Sequence, residues 1–268
     1  MPMARRAVTT CFSGDRLQVE DHHASIRLVV RRIGARPRPR RHDRQLELRL
    51  LVARALLGRP RVLLLDEPLA ALDKKLREST QAELLEVQRR LGMTFIIVTH
   101  DQEEAMTVAD RIGVMDKGKL VQVAPPRELY EAPNSRWIAG FVGDINLIEG
   151  QVAARQVGHF TIAAENAGTI VASHVPSNAT SNVCVAIRPE KIRLSREAQG
   201  EAAVNTFSGD LTSTGFLGGL SVYAVKLDGG AVLRVAAANA TRAAADGFAA
   251  GQRVSVSFAP DDVVVLDR

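Results

Sequence analysis

The sequence predicts an α/β fold with a parallel sheet, followed by a small all-β unit. Three observations carry this. Val62–Leu65 and Phe95–Val98 are unbroken apolar runs of strand length, the pattern of strands buried on both faces. Between them, Lys74–Leu91 reads as one long amphipathic helix. From about Gly143 the pattern changes to short β-rich runs separated by Gly, Asn and Asp.

Each element has its own local signal. Residues 51–57 read as the end of a helix, with Gly58 and Pro60 as stop signals. Lys74–Leu91 places Leu84, Val87 and Leu91 on an apolar face, pairs Glu86 with Arg90 four residues on, and ends at Gly92 as C-cap. Strand, helix and strand in this order make a right-handed parallel βαβ unit. Asp101 is the expected N-cap of a helix starting at Gln102, with Glu103 and Glu104 in its first turn, where negative charge suits the dipole. Ile112–Met115 and Lys119–Val123 flank Asp116–Gly118 as a hairpin. Short helical segments follow at Arg127–Glu131 and Ser135–Phe141, and Trp137 and Phe141 are expected to pack between the two domains. Val183–Ile187, Leu220–Leu227, Ala231–Val235, Val254–Phe258 and Val263–Leu266 are expected strands of a small sandwich or barrel. No internal repeat is read.

Composition narrows the function classes. With 268 residues, 46% hydrophobic and 24% charged, the chain is no disordered polymer. Its aliphatic runs of about four residues fall far short of the roughly 20 that span a bilayer. Met1–Thr10 has arginines but no apolar stretch behind them, so no secretory signal is expected. Cys11 and Cys184 are too few and too far apart for a disulfide framework or a metal cluster, which fits a reducing cytoplasm. Residues 1–50 hold 12 Arg and no Lys against five acidic residues, a local excess larger than the +5 of the whole chain. Such a segment could bind nucleic acid, yet Phe12 is its only aromatic and the arginines follow no helical period. A segment without coherent structural design is the preferred reading.

The chemistry gathers at two strand ends. In open α/β sheets ligands bind beyond the carboxyl ends of the strands. Here the first strand ends in Asp66-Glu67-Pro68 and the second in Thr99-His100-Asp101. Two carboxylates and an imidazole on one sheet edge are what a Mg-dependent phosphoryl-transfer site needs. One carboxylate holds the metal, a second polarises the attacking water, and the imidazole contacts the transferred phosphate. Taken singly, each residue is as well explained as a cap or a surface side chain; the weight lies in their joint placement.

These residues carry a family resemblance. Val62–Pro68 resembles the Walker B motif of ABC-type ATPases, Ala70-Ala71-Leu72-Asp73 their D-loop, and Ile97–Asp101 their H-loop strand and switch histidine. Asp73–Arg77, Thr99–Ala105, Tyr130–Ser135 and Val185–Lys191 resemble, more narrowly, the ATP-binding subunits of polyamine (putrescine or spermidine) importers. The likeness runs from about Val52 to Arg268. It implies a partial P-loop NTPase sheet of ABC type followed by an OB-like TOBE domain. By position it makes Asp66 the metal ligand, Glu67 the catalytic base, His100 the catalytic phosphate reader and Asp73 a nucleotide-site residue, though Asp73 is equally good as a helix N-cap.

The resemblance also implies ATP and Mg as cofactors, with membrane permease subunits and a second ATP-binding subunit as partners in a dimer. It places the protein in the cytoplasm, peripheral on the inner face of the plasma membrane, with no nucleic-acid partner and no direct membrane insertion. Two family motifs are not found. No stretch reads G-x-x-x-x-G-K-[ST], the loop whose amides and Lys cradle phosphates. Counting back from Asp66 as the family spaces it puts the glycine-rich signature at His42-Asp43-Arg44-Gln45-Leu46, which has neither its glycines nor its serine. The Q-loop cannot be placed.

The expected organisation is therefore a basic, non-homologous segment at 1–50, arising from truncation, frameshift or a misassigned start; the C-terminal part of an ABC ATPase domain at 51–142; and a TOBE-like β domain at 143–268. The ATPase sheet is expected to lack a strand, leaving an edge and part of both faces uncovered. No ATP hydrolysis is expected of the chain alone. The alternative is a non-catalytic interaction or regulatory module acting through the β domain.

Overall fold

A computed structural model describes residues 8–13, 50, 52–57, 60–70, 72–156, 158–176, 181–196, 205–241 and 247–267. The chain forms two compact units, residues 1–131 and 132–268. The signature-like segment 42–46 lies outside the described residues.

In the first unit, β2 (Val62–Asp66) and β3 (Thr94–Thr99) are parallel neighbours, joined by α1 (Lys74–Leu91) as the βαβ reading expects. Helix α1 starts at Asp73, whose Oδ1 accepts the Leu76 N–H at 3.1 Å, and stops at Gly92 in the left-handed region, φ 59°. Only a residue without Cβ takes that conformation freely. Its buried face differs from the expected one. Thr80, Gln81, Leu84 and Gln88 are buried, Val87 is half-buried, and Leu91 is exposed. Thr80 tolerates burial because its hydroxyl donates to the Leu76 carbonyl at 2.7 Å. The Glu86–Arg90 pair forms as expected, with 3.7 Å between Oε1 and Nη1.

The strands alternate. Leu63, Leu65, Phe95 and Ile97 enter a core with Leu69, Leu72, Leu84 and Val108, whereas Leu64, Ile96 and Val98 are only half-buried. Burial on both faces, expected from the continuous apolar runs, is thus met on one face only.

The sheet itself brings a correction. Its order is β2-β3-β1-β4-β5, and the strand in the middle is β1 (Val8–Ser13), from the segment expected to have no coherent structural design. β1 runs parallel to β3, with Val8 opposite Ile96, and parallel to β4 (Arg111–Asp116), with Val8 opposite Arg111. Val-Thr-Thr-Cys-Phe-Ser thus takes a central place in the sheet between β3 and β4. Among the described residues β2 is an edge strand. β5 (Lys119–Ala124) closes the other edge as the expected antiparallel hairpin, turning at Lys117 (φ 49°) and Gly118 (φ 77°). Helices α2 (Gln102–Val108) and α3 (Pro126–Glu131) also belong to this unit, and residues 52–56 are helical as the sequence reading expects.

The second unit begins at Ala132, ahead of the expected boundary at 142/143. The reason is packing. Helix α4 (Arg136–Phe141) sets Ala139 against Cys184 and Ala186, and buried Arg188 donates to the carbonyls of Ala139, Gly143 and Asp144 at 3.0–3.1 Å. Trp137 and Phe141 stack on each other with ring centroids 5.0 Å apart.

The β part contains a repeat that sequence reading misses. One sheet has the order β15-β9-β6-β7-β8 and the other β10-β14-β11-β12-β13. The first half supplies β6 (Asn146–Gln156), β7 (His159–Ala164), β8 (Gly168–Ala172), β9 (Asn182–Ile187) and β10 (Arg193–Ser195). The second supplies β11 (Asn205–Phe216), β12 (Leu220–Leu227), β13 (Val232–Ala238), β14 (Arg253–Phe258) and β15 (Val264–Asp267). Each half gives its last strand to the other's sheet: β10 pairs with β14 and β15 with β9.

The halves match in detail. Each has an early bulge, at Val152/Ala154 and Leu211/Ser213. Each has a glycine four residues after an asparagine. A Cβ on Gly150 would lie 2.8 Å from the Ile162 side chain, and one on Gly209 would lie 2.4 Å from the Lys226 carbonyl oxygen. Each has a 3₁₀ turn near its end, Pro189–Lys191 and Pro260–Asp262, and these meet through Lys191 and Asp262 at 3.8 Å. Both halves feed one core, including Ile162, Ile170, Val185 and Ile187 from the first and Val225, Leu233, Val256 and Phe258 from the second.

Candidate nucleotide-hydrolysis site

The site is built where β2 and β3 end. Glu67 still donates its N–H to the Val98 carbonyl at 2.8 Å, so the ladder runs one residue past β2. There the backbone turns sharply. Glu67 has φ 46°, a left-handed conformation for a residue with a long side chain, which costs on the order of 1–3 kcal/mol. The turn is held by Ala70 N–H to the Glu67 carbonyl and Leu72 N–H to that of Leu69.

The outcome is a specific contact. Oε1 of Glu67 lies 3.0 Å from Nδ1 of His100, across the ends of two neighbouring strands. Both side chains are open to solvent, Glu67 at 42% and His100 at 65% exposed. An ionised carboxylate only accepts, so against Glu67 in that form Nδ1 is the donor, which leaves Nε2 free of this contact. Two of the sequence-predicted residues are thus brought together. Asp66 sits half-buried at the end of β2, and Asp73 caps α1 through its Oδ1.

Sequence reasoning missed the support behind His100. Thr99, 2% exposed, donates its hydroxyl to Oε2 of Glu104 at 2.7 Å and accepts the Asp101 N–H at 3.0 Å. Asp101 caps α2 by accepting the Glu104 N–H at 3.0 Å, and its other oxygen takes the Arg77 guanidinium. Arg77 also donates to the Leu72 carbonyl at 3.3 Å. Glu104 is 2% exposed, and burial pushes its carboxyl above the usual glutamate range, with Thr99 pulling the other way. The Asp-x-x-Glu spacing at 101–104 was the available signal, since it is a capping-box pattern.

The donor set can be tested against Mg-ATP. Asp66 and Glu67 are hard oxygen donors, and Mg is ordinarily held by one or two carboxylates plus substrate phosphates, so the pair fits the metal. Among the described residues no group of three or more His, Cys, Asp or Glu could hold a metal without such help. The phosphates fare differently. Gly113–Lys119 has the glycine and lysine spacing of a phosphate loop, but Leu120 stands where Ser or Thr is needed, and the stretch is the β4–β5 hairpin. A strand-to-helix loop with free amides is required.

Residues 185–266 match the TOBE domain family. The putrescine transport ATP-binding protein PotG of Escherichia coli is 40% identical over 222 residues, 81% of this chain and 58% of that protein. The spermidine/putrescine import ATP-binding protein PotA of Trichormus variabilis is 43% identical over 190 residues, 70% of this chain and 50% of that protein. The chain is a homologue of the polyamine-import ATP-binding proteins. It spans between half and three-fifths of the length of these relatives. Among solved structures, cbiO1 of Clostridium perfringens, part of the ABC transporter complex cbiONQ, is 36% identical over 31% of this chain and 34% of that one, with a TM-score of 0.30. Among the described residues no helix is long and apolar enough to cross a membrane.

Proposed function

We propose that this chain corresponds to the ATP-binding subunit of an ABC-type importer of putrescine or spermidine. It would work in a dimer, peripheral to the inner face of the plasma membrane, coupling ATP hydrolysis to transport through membrane permease subunits. The observation that supports this best is the 3.0 Å contact between Glu67 and His100 at the ends of adjacent parallel strands, together with the homology reported above.

In this reading Asp66 would hold Mg, which supplies charge neutralisation at the transferred phosphoryl group. Glu67 accepts a proton from the attacking water, an action available to an exposed carboxylate whose strained backbone fixes it in place. His100 presents Nε2 to the phosphate; with Nδ1 committed to Glu67, that nitrogen donates only in the imidazolium form. Asp73, at the start of α1, takes the position of the family residue that communicates across the dimer.

We further propose that these 268 residues, taken alone, hydrolyse no ATP. Support comes from the sequence, in which no stretch reads G-x-x-x-x-G-K-[ST] and residues 42–46 lack the signature glycines. Among the described residues the carboxylates and imidazole have no glycine-rich loop with a lysine beside them to grip a triphosphate. A calorimetric titration with Mg-ATP tests the reading. Weak, Mg-dependent binding that Asp66→Asn reduces is expected, whereas no heat at millimolar nucleotide would remove the nucleotide-site reading.

The second reading, a non-catalytic regulatory module, is favoured by one observation. The C-terminal unit encloses a core of its own, built from both repeat halves. Under that reading Mg-ATP binding is absent while the C-terminal unit remains folded.

A further inference from the structure

We infer that Glu104 is a positioning residue for His100, acting through the hydroxyl of Thr99, with Arg77 bracing the same turn. The inference rests on the reading of His100 as the group that meets the phosphate, but the contacts that carry it require no nucleotide.

In an ordinary capping box the N-cap side chain accepts the N–H three residues on, and the glutamate there reaches back to the N-cap N–H. Here only the first half is direct: Asp101 Oδ1 accepts the Glu104 N–H at 3.0 Å. The Asp101 N–H goes instead to Thr99 Oγ1 at 3.0 Å, and that hydroxyl donates to Glu104 Oε2 at 2.7 Å. A hydroxyl is inserted into the box. The loop of bonds therefore runs from residue 99 to residue 104 and encloses His100, whose neighbours on both sides are tied to one oxygen.

Among the described residues the hydrogen-bond partner of the His100 imidazole is Glu67, and the ring stands 65% exposed. Its aim thus depends on the backbone at 99–101. That backbone is fixed from below by Glu104 and from the side by Arg77, which binds Asp101 and the Leu72 carbonyl together. Leu72 precedes the D-loop aspartate, so the brace also joins the two loops that the reading places at the nucleotide.

Glu104 is an expensive way to cap a helix. The residue is 2% exposed and its Oε1 accepts no hydrogen bond. Asp101 already serves as N-cap. A buried carboxyl with one oxygen unsatisfied is costly, and what this one adds is the orientation of the Thr99 hydroxyl.

The test uses the full chain with 15N-labelled histidine, the His100 signals being assigned by loss in His100→Gln. Glu67→Gln is expected to move the Nδ1 resonance of His100. Glu104→Ala and Thr99→Val are expected to move it in the same sense, because the turn no longer aims the ring at Glu67. Glu104→Gln keeps an acceptor for the Thr99 hydroxyl and should retain the native resonance, a rescue that a purely structural role does not predict. A native His100 signal in folded Glu104→Ala or Thr99→Val overturns the inference, as does Glu104→Gln behaving like Glu104→Ala. If Glu104→Ala does not fold, Thr99→Val decides. Adding Mg-ATP separates the two readings. A His100 signal that follows Glu104 but ignores Mg-ATP keeps the positioning role and removes the nucleotide site, and the opposite pattern does the reverse.

Discussion

Asn146 and Asn205 perform the same task in opposite directions across the C-terminal unit. Asn146, at the start of β6, donates to the Arg234 carbonyl at 2.8 Å and accepts the Arg234 N–H at 2.7 Å. Asn205, at the start of β11, donates to the Val171 carbonyl at 2.9 Å and accepts the Val171 N–H at 2.7 Å. Each side-chain amide copies a backbone peptide and pins the third strand of the other half. Both residues are buried, so removing either amide leaves a backbone N–H and carbonyl unpaired. Asn146→Ala and Asn205→Ala should each cost about 2–4 kcal/mol in urea unfolding. A loss under about 0.5 kcal/mol would mean that water replaces the amide.

The two glycines of the repeat are not equivalent in tolerance. At Gly209 a Cβ would meet backbone, the Lys226 carbonyl oxygen at 2.4 Å, whereas at Gly150 its nearest neighbour is the Ile162 side chain at 2.8 Å, with the Ala163 carbonyl oxygen at 2.9 Å. Gly209→Ala should therefore destabilise by upwards of about 2 kcal/mol and by more than Gly150→Ala. Thermal midpoints of the two variants check the order.

Asp73 separates capping from function. Asp73→Ala should cost ~1 kcal/mol through the lost bond to the Leu76 N–H, while Asp73→Asn, an equally good cap, should leave stability nearly unchanged. Any loss of Mg-ATP binding in Asp73→Asn then reports a role beyond the helix.

Glu104 gives a pH dependence of definite sign. Its carboxyl is raised in the folded chain by burial, above the ordinary value of 4.5. In the window above 4.5 the folded state holds more protons than the unfolded one, so stability falls as pH rises through it. Glu104→Gln removes that term. The variant should gain on the parent as pH rises from about 4 toward neutrality, measured by denaturant midpoints at each pH; a constant difference would contradict the burial.

Much of the first unit was legible. Asp73, Gly92, Asp101 and the Asp116–Gly118 turn are local signals, and each end falls where its cap stands. The pairing of β1 was not legible, because Val8–Ser13 carries strand propensity but its place between β3 and β4 is decided by partners far along the chain. The buried Thr80, Gln81 and Gln88 were missed for a similar reason: periodicity weighs apolar residues and overlooks polar ones such as Thr80, whose hydroxyl is satisfied by the Leu76 carbonyl one turn back. The repeat was hidden by its loops. Asn146–Val152 and Asn205–Leu211 share an Asn-x-apolar-x-Gly-x-apolar pattern, and Val183–Pro189 and Val254–Pro260 share Val-x-Val-x-apolar-x-Pro, but at different separations. At the site, the strand ends and their reactive groups could be read, while the Thr99 relay needed the three-dimensional return of Glu104 onto the turn.

The most direct measurement is steady-state phosphate release from Mg-ATP by the purified full chain, with Glu67→Gln as its control. Turnover should be indistinguishable from that of the Glu67→Gln protein. Turnover that Glu67→Gln abolishes would show that the chain grips its nucleotide after all, and would contradict the claim that the hydrolytic groups stand here without a phosphate cradle.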